Sequence, residues 1–222
     1  MIYEKKDEKM IVRMDVDDKG VPNGKLYRFI PLQEGIKSIA VPEGVREICF
    51  GAFAVEEEDG EWTYHTPKVE RIEIPQSVQW IENGAFAFLT LKEVGIAPGC
   101  LAIKREGSAL LSGDGKRFLH FIDEDMAVDY TLPEGVEEIG EEAFASWTMD
   151  VKLPRSVKRI KAYAFGAFSG KVSVPESVEE IDDHAFERAK RRQVWKTVLL
   201  VKRGSYAHKW ARKHRIKRKI VK

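Results

Sequence analysis

Residues 154–165 read PRSVKRIKAYAF, and the same twelve-residue phrase returns as PEGVREICFGAF at 42–53, PQSVQWIENGAF at 75–86, PEGVEEIGEEAF at 133–144 and PESVEEIDDHAF at 175–186. Six positions hold in all five copies: Pro first, Gly or Ser third, Val fourth, Ile seventh, Ala eleventh and Phe twelfth. The last three prolines are 21 residues apart, and the earlier gaps of 33 and 58 are one unit and two units lengthened by insertions. Self-similarity at a fixed period of this size marks a repeat architecture, in which each phrase forms one coil of a solenoid.

Each recurring residue has a physical task. Two apolar residues with one position between them precede every proline: Ile39 and Val41, Ile72 and Ile74, Tyr130 and Leu132, Val151 and Leu153, Val172 and Val174. That alternation predicts a short strand. Proline disfavours helix at the residue before it and has no N–H for a ladder, so it ends the strand. Gly or Ser then makes a corner, and Val and Ile bring the chain back along a second side. Ala-Phe closes the coil, the small residue letting neighbouring coils approach while the ring fills the space between them. Phe53, Phe86, Phe144, Phe165 and Phe186 are therefore expected to stack as a buried spine.

On these residues the chain resembles the BspA-like leucine-rich repeat family, whose units read as a short strand, IP-x-S-V-x-x-I-x-x-x-A-F, and a return turn; the match covers about residues 36–190. Residues 91–121, LKEVGIAPGCLAIKREGSALLSGDGKRFLHF, resemble a further feature of that family, a coil carrying an inserted hairpin. Leu91, Val94 and Ile96 supply the strand of that coil, and SGDGK at 112–116 supplies a tight turn, because Asp114-Gly115 suits positions of positive φ. The same glycines do not make a phosphate loop, since Arg117 stands where Ser or Thr would be needed. The resemblance implies a right-handed, mostly β solenoid with short helices, used for protein–protein contact and often found on bacterial cell surfaces.

A stack of coils exposes an apolar face at each end, which must be covered. Residues 1–35 are read as an N-terminal cap, a hairpin in which Val12, Met14 and Val16 alternate, DDKGVPNG breaks the run, and KLYRFI alternates again. Residues 36–190 form the solenoid, with insertions near 55–68 and 98–128. Residues 191–222 form a basic C-terminal cap of helix and strand. There Ser205 is a good N-cap, with Tyr206, Ala207, Trp210, Ala211 and His214 on the packed side of the helix and Lys209, Arg212, Lys213 and Arg215 on the wet side. GSYAHKWA also resembles the C-terminal cap of BspA-like proteins, and IKRKIV is read as a last strand.

At 222 residues with 43% hydrophobic content the chain can bury a sizeable core. Its net charge of +1 conceals an asymmetry: fifteen of the 37 basic residues fall in 187–222 against the single acid Glu187, leaving 22 basic and 35 acidic groups elsewhere. Such a segment either seeks a polyanion or lies on the acidic body. Short apolar runs flanked by charge near the N-terminus give no secretion signal, and nothing approaches eighteen consecutive apolar residues, so neither export nor a membrane span is expected and the default location is cytoplasmic. Cys49 and Cys100 stand in unrelated contexts and read as free thiols.

No catalytic or metal-binding pattern emerges. His65, His120, His184, His208 and His214 fall at no ligand spacing, and no cofactor is expected. The pairs Glu137-Glu138 and Glu179-Glu180 sit between the Val and Ile of their coils and read as a solvated face. Binding is expected instead on the outward strand positions, a mixed-charge ladder including Arg71, Glu73, Asp150 and Lys152. A second candidate is the acidic loop 55–68, which carries Trp62 and Tyr64 near Trp80, itself at a repeat position held elsewhere by Glu or Arg and hence exposed. The sequence thus reads as a non-catalytic module contacting another protein or a surface glycan. The alternative is nucleic-acid or anionic-surface binding through Arg212, Lys213, Arg215, Lys217, Arg218 and Lys219.

Overall fold

The computed structural model describes residues 2–6, 10–16, 22–31, 36–53, 69–87, 89, 91–122, 129–187 and 196–222. The loop residues Trp62 and Tyr64, with the whole insertion 55–68, lie outside the described residues. The chain divides into two compact units, Met1–Asp114 with Phe121–Glu124, and Gly115–His120 with Asp125–Lys222. Each is a stretch of leucine-rich-repeat-type solenoid.

In the first unit, the strands before the prolines pair in parallel, Ser38–Ala40 with Arg71–Ile74 and Arg71–Ile74 with Glu93–Ile96. On the second side of the coil, Glu47–Ile48 pairs in parallel with Trp80–Ile81. An antiparallel sheet of Ile2–Lys6, Met10–Val16 and Pro22–Pro31 precedes them and joins in parallel through Lys25↔Glu47 and Leu26↔Ile48. It has one strand more than the expected hairpin, because Ile2–Lys6 carries three charges in five residues and shows no alternation to betray it. The inserted element is the antiparallel pair Ile103–Glu106 and Ala109–Ser112, turning at Gly107, whose φ of 56° is open to glycine. The turn at 112–116 follows it, with Ser112 Oγ donating to Asp114 Oδ1 at 2.6 Å.

In the second unit, Asp129–Thr131, Asp150–Lys152, Gly170–Ser173, Thr197–Lys202 and Arg218–Val221 form one parallel sheet in that order. Arg117–Phe121, Glu138–Ile139, Arg159–Ile160 and Glu180–Ile181 line the second side. The repeat positions explain the burial: the recurring Val, Ile, Ala and Phe of all five phrases are at most 5% exposed. Phe53 and Phe86 stack at 5.9 Å in the first unit. In the second, Phe118, Phe144, Phe165 and Phe186 follow one another at 4.6, 5.2 and 5.0 Å with nearly parallel planes.

In four of the five phrases the backbone is left-handed two residues before the Phe, His184 being the exception. Gly51 and Gly84 fill that position at φ 59° and 72°, whereas Glu142 and Tyr163 adopt 56° and 53° at a cost of roughly 1–2 kcal/mol each.

The row closes on the helix Tyr206–Lys213, where Ser205 Oγ accepts the His208 N–H and Trp210 lies 5.7 Å from Phe186. Ala207, Trp210 and Ala211 are buried, but Tyr206 is 42% exposed rather than packed. The buried set runs i, i+3, i+4, and Tyr206, one turn before Trp210, lies about 40° beyond it and about 90° from the centre of that stripe, at its edge.

Candidate functional site

Register decides what the outward face of the first unit offers. Ser38, Arg71 and Glu93 form one outward row, and Ala40, Glu73 and Gly95 form the next. Arg71 Nε donates to Glu73 Oε1 at 2.6 Å, and its guanidinium also pairs with Glu93 at 2.5 Å. Those hydrogen bonds, Glu73 first and Glu93 second, raise the Arg71 pKa and fix the charge. Glu73 is flanked by two small residues, so its carboxylate lies over Gly95, occupying the place a side chain there would take.

The same small residues leave a shallow groove of about 600 Å³. Its lining includes Ala40, Ile74, Gly95 and Ala97, with the row of Pro42, Pro75 and Pro98 at the strand ends and two carboxylates, Glu43 and Glu73. An apolar lining beside polar groups of fixed geometry is the usual composition of a recognition site. At the other end of the strands Glu70 stands between Lys37 and Lys92, at 3.5 and 3.3 Å, and the hydrogen bond from Lys92 lowers its pKa.

The second unit presents its outward positions differently. Asp150 takes both the backbone N–H and the ammonium of Lys171, at 2.8 and 2.7 Å, which lowers its pKa. Lys152 is exposed, in register with Thr131 and Ser173. Arg71 and Glu73 are thus drawn into one cluster, while Asp150 pairs with Lys171. Trp80 is 51% exposed but belongs to the second row of strands, beside Glu47, so it does not line the groove. The groove could have been suspected from Ala40 and Gly95, small residues at outward positions where other coils carry Glu, Lys, Thr or Ser.

Glu138 corrects the expectation of a solvated face. It is 7% exposed, accepts from Arg159 Nε at 2.9 Å and has Lys161 Nζ at 3.8 Å. Its hydrogen bond raises the Arg159 pKa. The partner is 21 residues away in sequence and directly opposite in register, Glu138↔Arg159. Glu179 and Glu180 are exposed.

The histidines are dispersed: His120 is buried, His184 lies 3.3 Å from Asp182, His208 Nδ1 accepts the Gly204 N–H, and His214 stacks on Trp210 with Nε2 3.1 Å from Asp183. His65 lies outside the described residues. Glu47, Cys49 and Glu82 each place a ligand-type atom within 4.8 Å of the others. Both carboxylates are engaged, Glu47 with Lys25 at 2.9 Å and Glu82 with the Phe50 N–H at 2.7 Å. Neither Cys49 nor Cys100 is in a disulfide. No helix among the described residues is long and apolar enough to cross a membrane.

At the C-terminus Arg212, Lys213, Arg215, Lys217, Arg218 and Lys219 are all exposed. Lys213 lies 3.8 Å from Asp183; the other five make no ion pair with a described residue.

A family model described as a BspA type leucine rich repeat region, in 6 copies, matches residues 60–107 and 121–206, more than half of the chain. Among solved structures, a leucine-rich repeat protein from Eubacterium ventriosum is similar at 14% identity over 88% of this chain and 77% of its own, with a TM-score of 0.50. The pneumococcal vaccine antigen PcpA aligns at 12% identity over 99% of both chains, with a TM-score of 0.26. No curated protein matches the sequence.

Proposed function

Because the chain belongs to the BspA type leucine-rich repeat family, we propose that it is a non-catalytic interaction module that meets a protein partner on the strand face of its first unit. The observation that carries this reading is the groove beside the Arg71, Glu73 and Glu93 cluster. Its lining joins Ala40, Ile74 and Ala97 to a carboxylate held in place by an arginine. An apolar centre with a polar rim is how protein interfaces are organised. A surface glycan remains the other occupant of the same face. Filling the groove tests the reading: Ala40→Trp, at an exposed position, should leave melting unchanged and abolish co-purification of the partner. Partner capture equal to that of the unmodified protein would contradict it.

A second reading rests on the exposure of the six basic residues from Arg212 to Lys219. Contacts of this kind to phosphates are sequence-tolerant and weaken with salt, log K falling about 0.9 per phosphate neutralised against log salt concentration. Failure to retard duplex DNA or RNA at about 50 mM salt would exclude it.

A further inference from the structure

Among the described residues the strand Arg218–Val221 ends its sheet, bonded on one side only, to Thr197–Lys202. The Leu199 N–H donates to the Lys217 carbonyl at 2.9 Å, which fixes the orientation of the strand. In a parallel ladder alternate residues turn both backbone groups to the same neighbour. Lys219 and Val221 therefore follow Lys217 inward, and Arg218 and Ile220 turn their N–H and C=O groups to the open side. Such an edge is a template for another strand.

All four residues of the strand are exposed, and Ile220 and Val221, at 37% and 36%, are among the few large apolar side chains left so. Residues 213–222 hold six Lys or Arg and no acid. A second copy of the strand would set like charges against each other, which disfavours self-pairing. An acidic segment would gain both the ladder and the charge.

We propose that Arg218–Val221 is a docking edge for an extended acidic peptide segment, which adds to the sheet as its next strand. The mode is β-strand addition, in which main-chain bonds supply affinity and alternate side chains supply selectivity. Here Lys219 would select carboxylates on the outer face, while Ile220 gives an apolar contact on the other. This surface is separate from the groove of the first unit, and either can fail without the other.

The test uses the full chain and a fluorescent peptide of alternating glutamate and valine, with an N-methylated version that cannot form a ladder and a single-stranded RNA as competitor. The peptide should bind, and the N-methylated form should bind at least tenfold more weakly. Ile220→Pro deletes an N–H that faces the open side, a substitution edge strands tolerate, together with the isoleucine side chain; it should give a similar loss at unchanged melting temperature, and a larger one than Ile220→Ala, which keeps the N–H. Arg218→Glu should weaken binding without touching the ladder, and Ala40→Trp should leave it unchanged. The proposal is overturned if the peptide does not bind, if the N-methylated peptide binds equally well, or if RNA displaces the peptide and Ile220→Pro weakens neither. The last outcome would mark the segment as a general polyanion site.

Discussion

In the second unit four phenylalanine rings succeed one another at 4.6 to 5.2 Å, whereas in the first unit Phe53 and Phe86 stand 5.9 Å apart. The second unit carries phrases at an uninterrupted spacing of 21 residues; the first has 33 between the prolines of its two phrases. Their outward faces differ as well. Regular coils in the second unit set Asp150 against Lys171 and leave Thr131, Lys152 and Ser173 in one row. The first unit places Ala40 and Gly95 on either side of Glu73 and opens a groove. The same coil thus serves two ends: unbroken repetition yields a close-packed spine, and local departures in side-chain size yield a surface with relief.

The largest expected effect breaks the spine. Phe165→Ala removes a ring stacked on both neighbours and edge-on to Phe168, and should lie at the upper end of about 3–5 kcal/mol by denaturant unfolding. Phe53→Ala should lie at the lower end. A greater loss at Phe53 would reverse the comparison.

Next come the glycines. A methyl group at Gly170, where φ is 140°, would fall 1.8 Å from the Met149 carbonyl oxygen, so Gly170→Ala should cost about 3 kcal/mol. At Gly95 the same methyl meets only the exposed end of Glu73, which can yield at the expense of its surface bond to Arg71. Gly95→Ala should therefore change the unfolding midpoint little.

Glu142 gives a pH signature to the second unit. Burial first, and the neighbouring Glu141 second, push its pKa from 4.5 up to about 7. Between those values the folded state keeps a proton that the unfolded chain releases, so stability falls as pH rises through the window. Glu142→Gln should remove that slope and stabilise the protein above the window by roughly 1–3 kcal/mol. Melting temperatures measured across the window would show it, and an unchanged slope would refute it.

The smallest effects concern backbone strain. Ala167 has φ 56° with a side chain, and Gly84 has φ 72° without one. Ala167→Gly should stabilise by roughly 0.5–1 kcal/mol and Gly84→Ala should destabilise by about 1 kcal/mol. Equal signs would show that the left-handed φ is not what sets the cost at these two positions.

The coil itself was legible because burial repeats with the phrase: Pro, Val, Ile, Ala and Phe each do one task five times. Features outside the phrase were not. Phe118 joins the ring row although it pairs in register with Ile139, where the repeat has an isoleucine rather than the phenylalanine. The strand Thr197–Lys202 has the alternation of Leu199 and Val201 but ends in lysine instead of proline, which removed the signal that marked the others. Glu138 looked solvated because its arginine lies in the next coil, a relation that appears only once register is known. For the site, charges at outward positions were visible, but the groove depends on the residues between them being small, an absence that residue-type reasoning overlooks.

The central claim, that the face of the first unit is the one that binds, can be tested by photo-crosslinking in the cells that make the protein. A benzophenone side chain would be placed in turn at position 40, on the groove, and at position 152, on the outward face of the second unit. The account predicts a discrete adduct from position 40 and none of comparable yield from position 152. An adduct from position 152 alone, or equal yields of the same adduct from both, would contradict it.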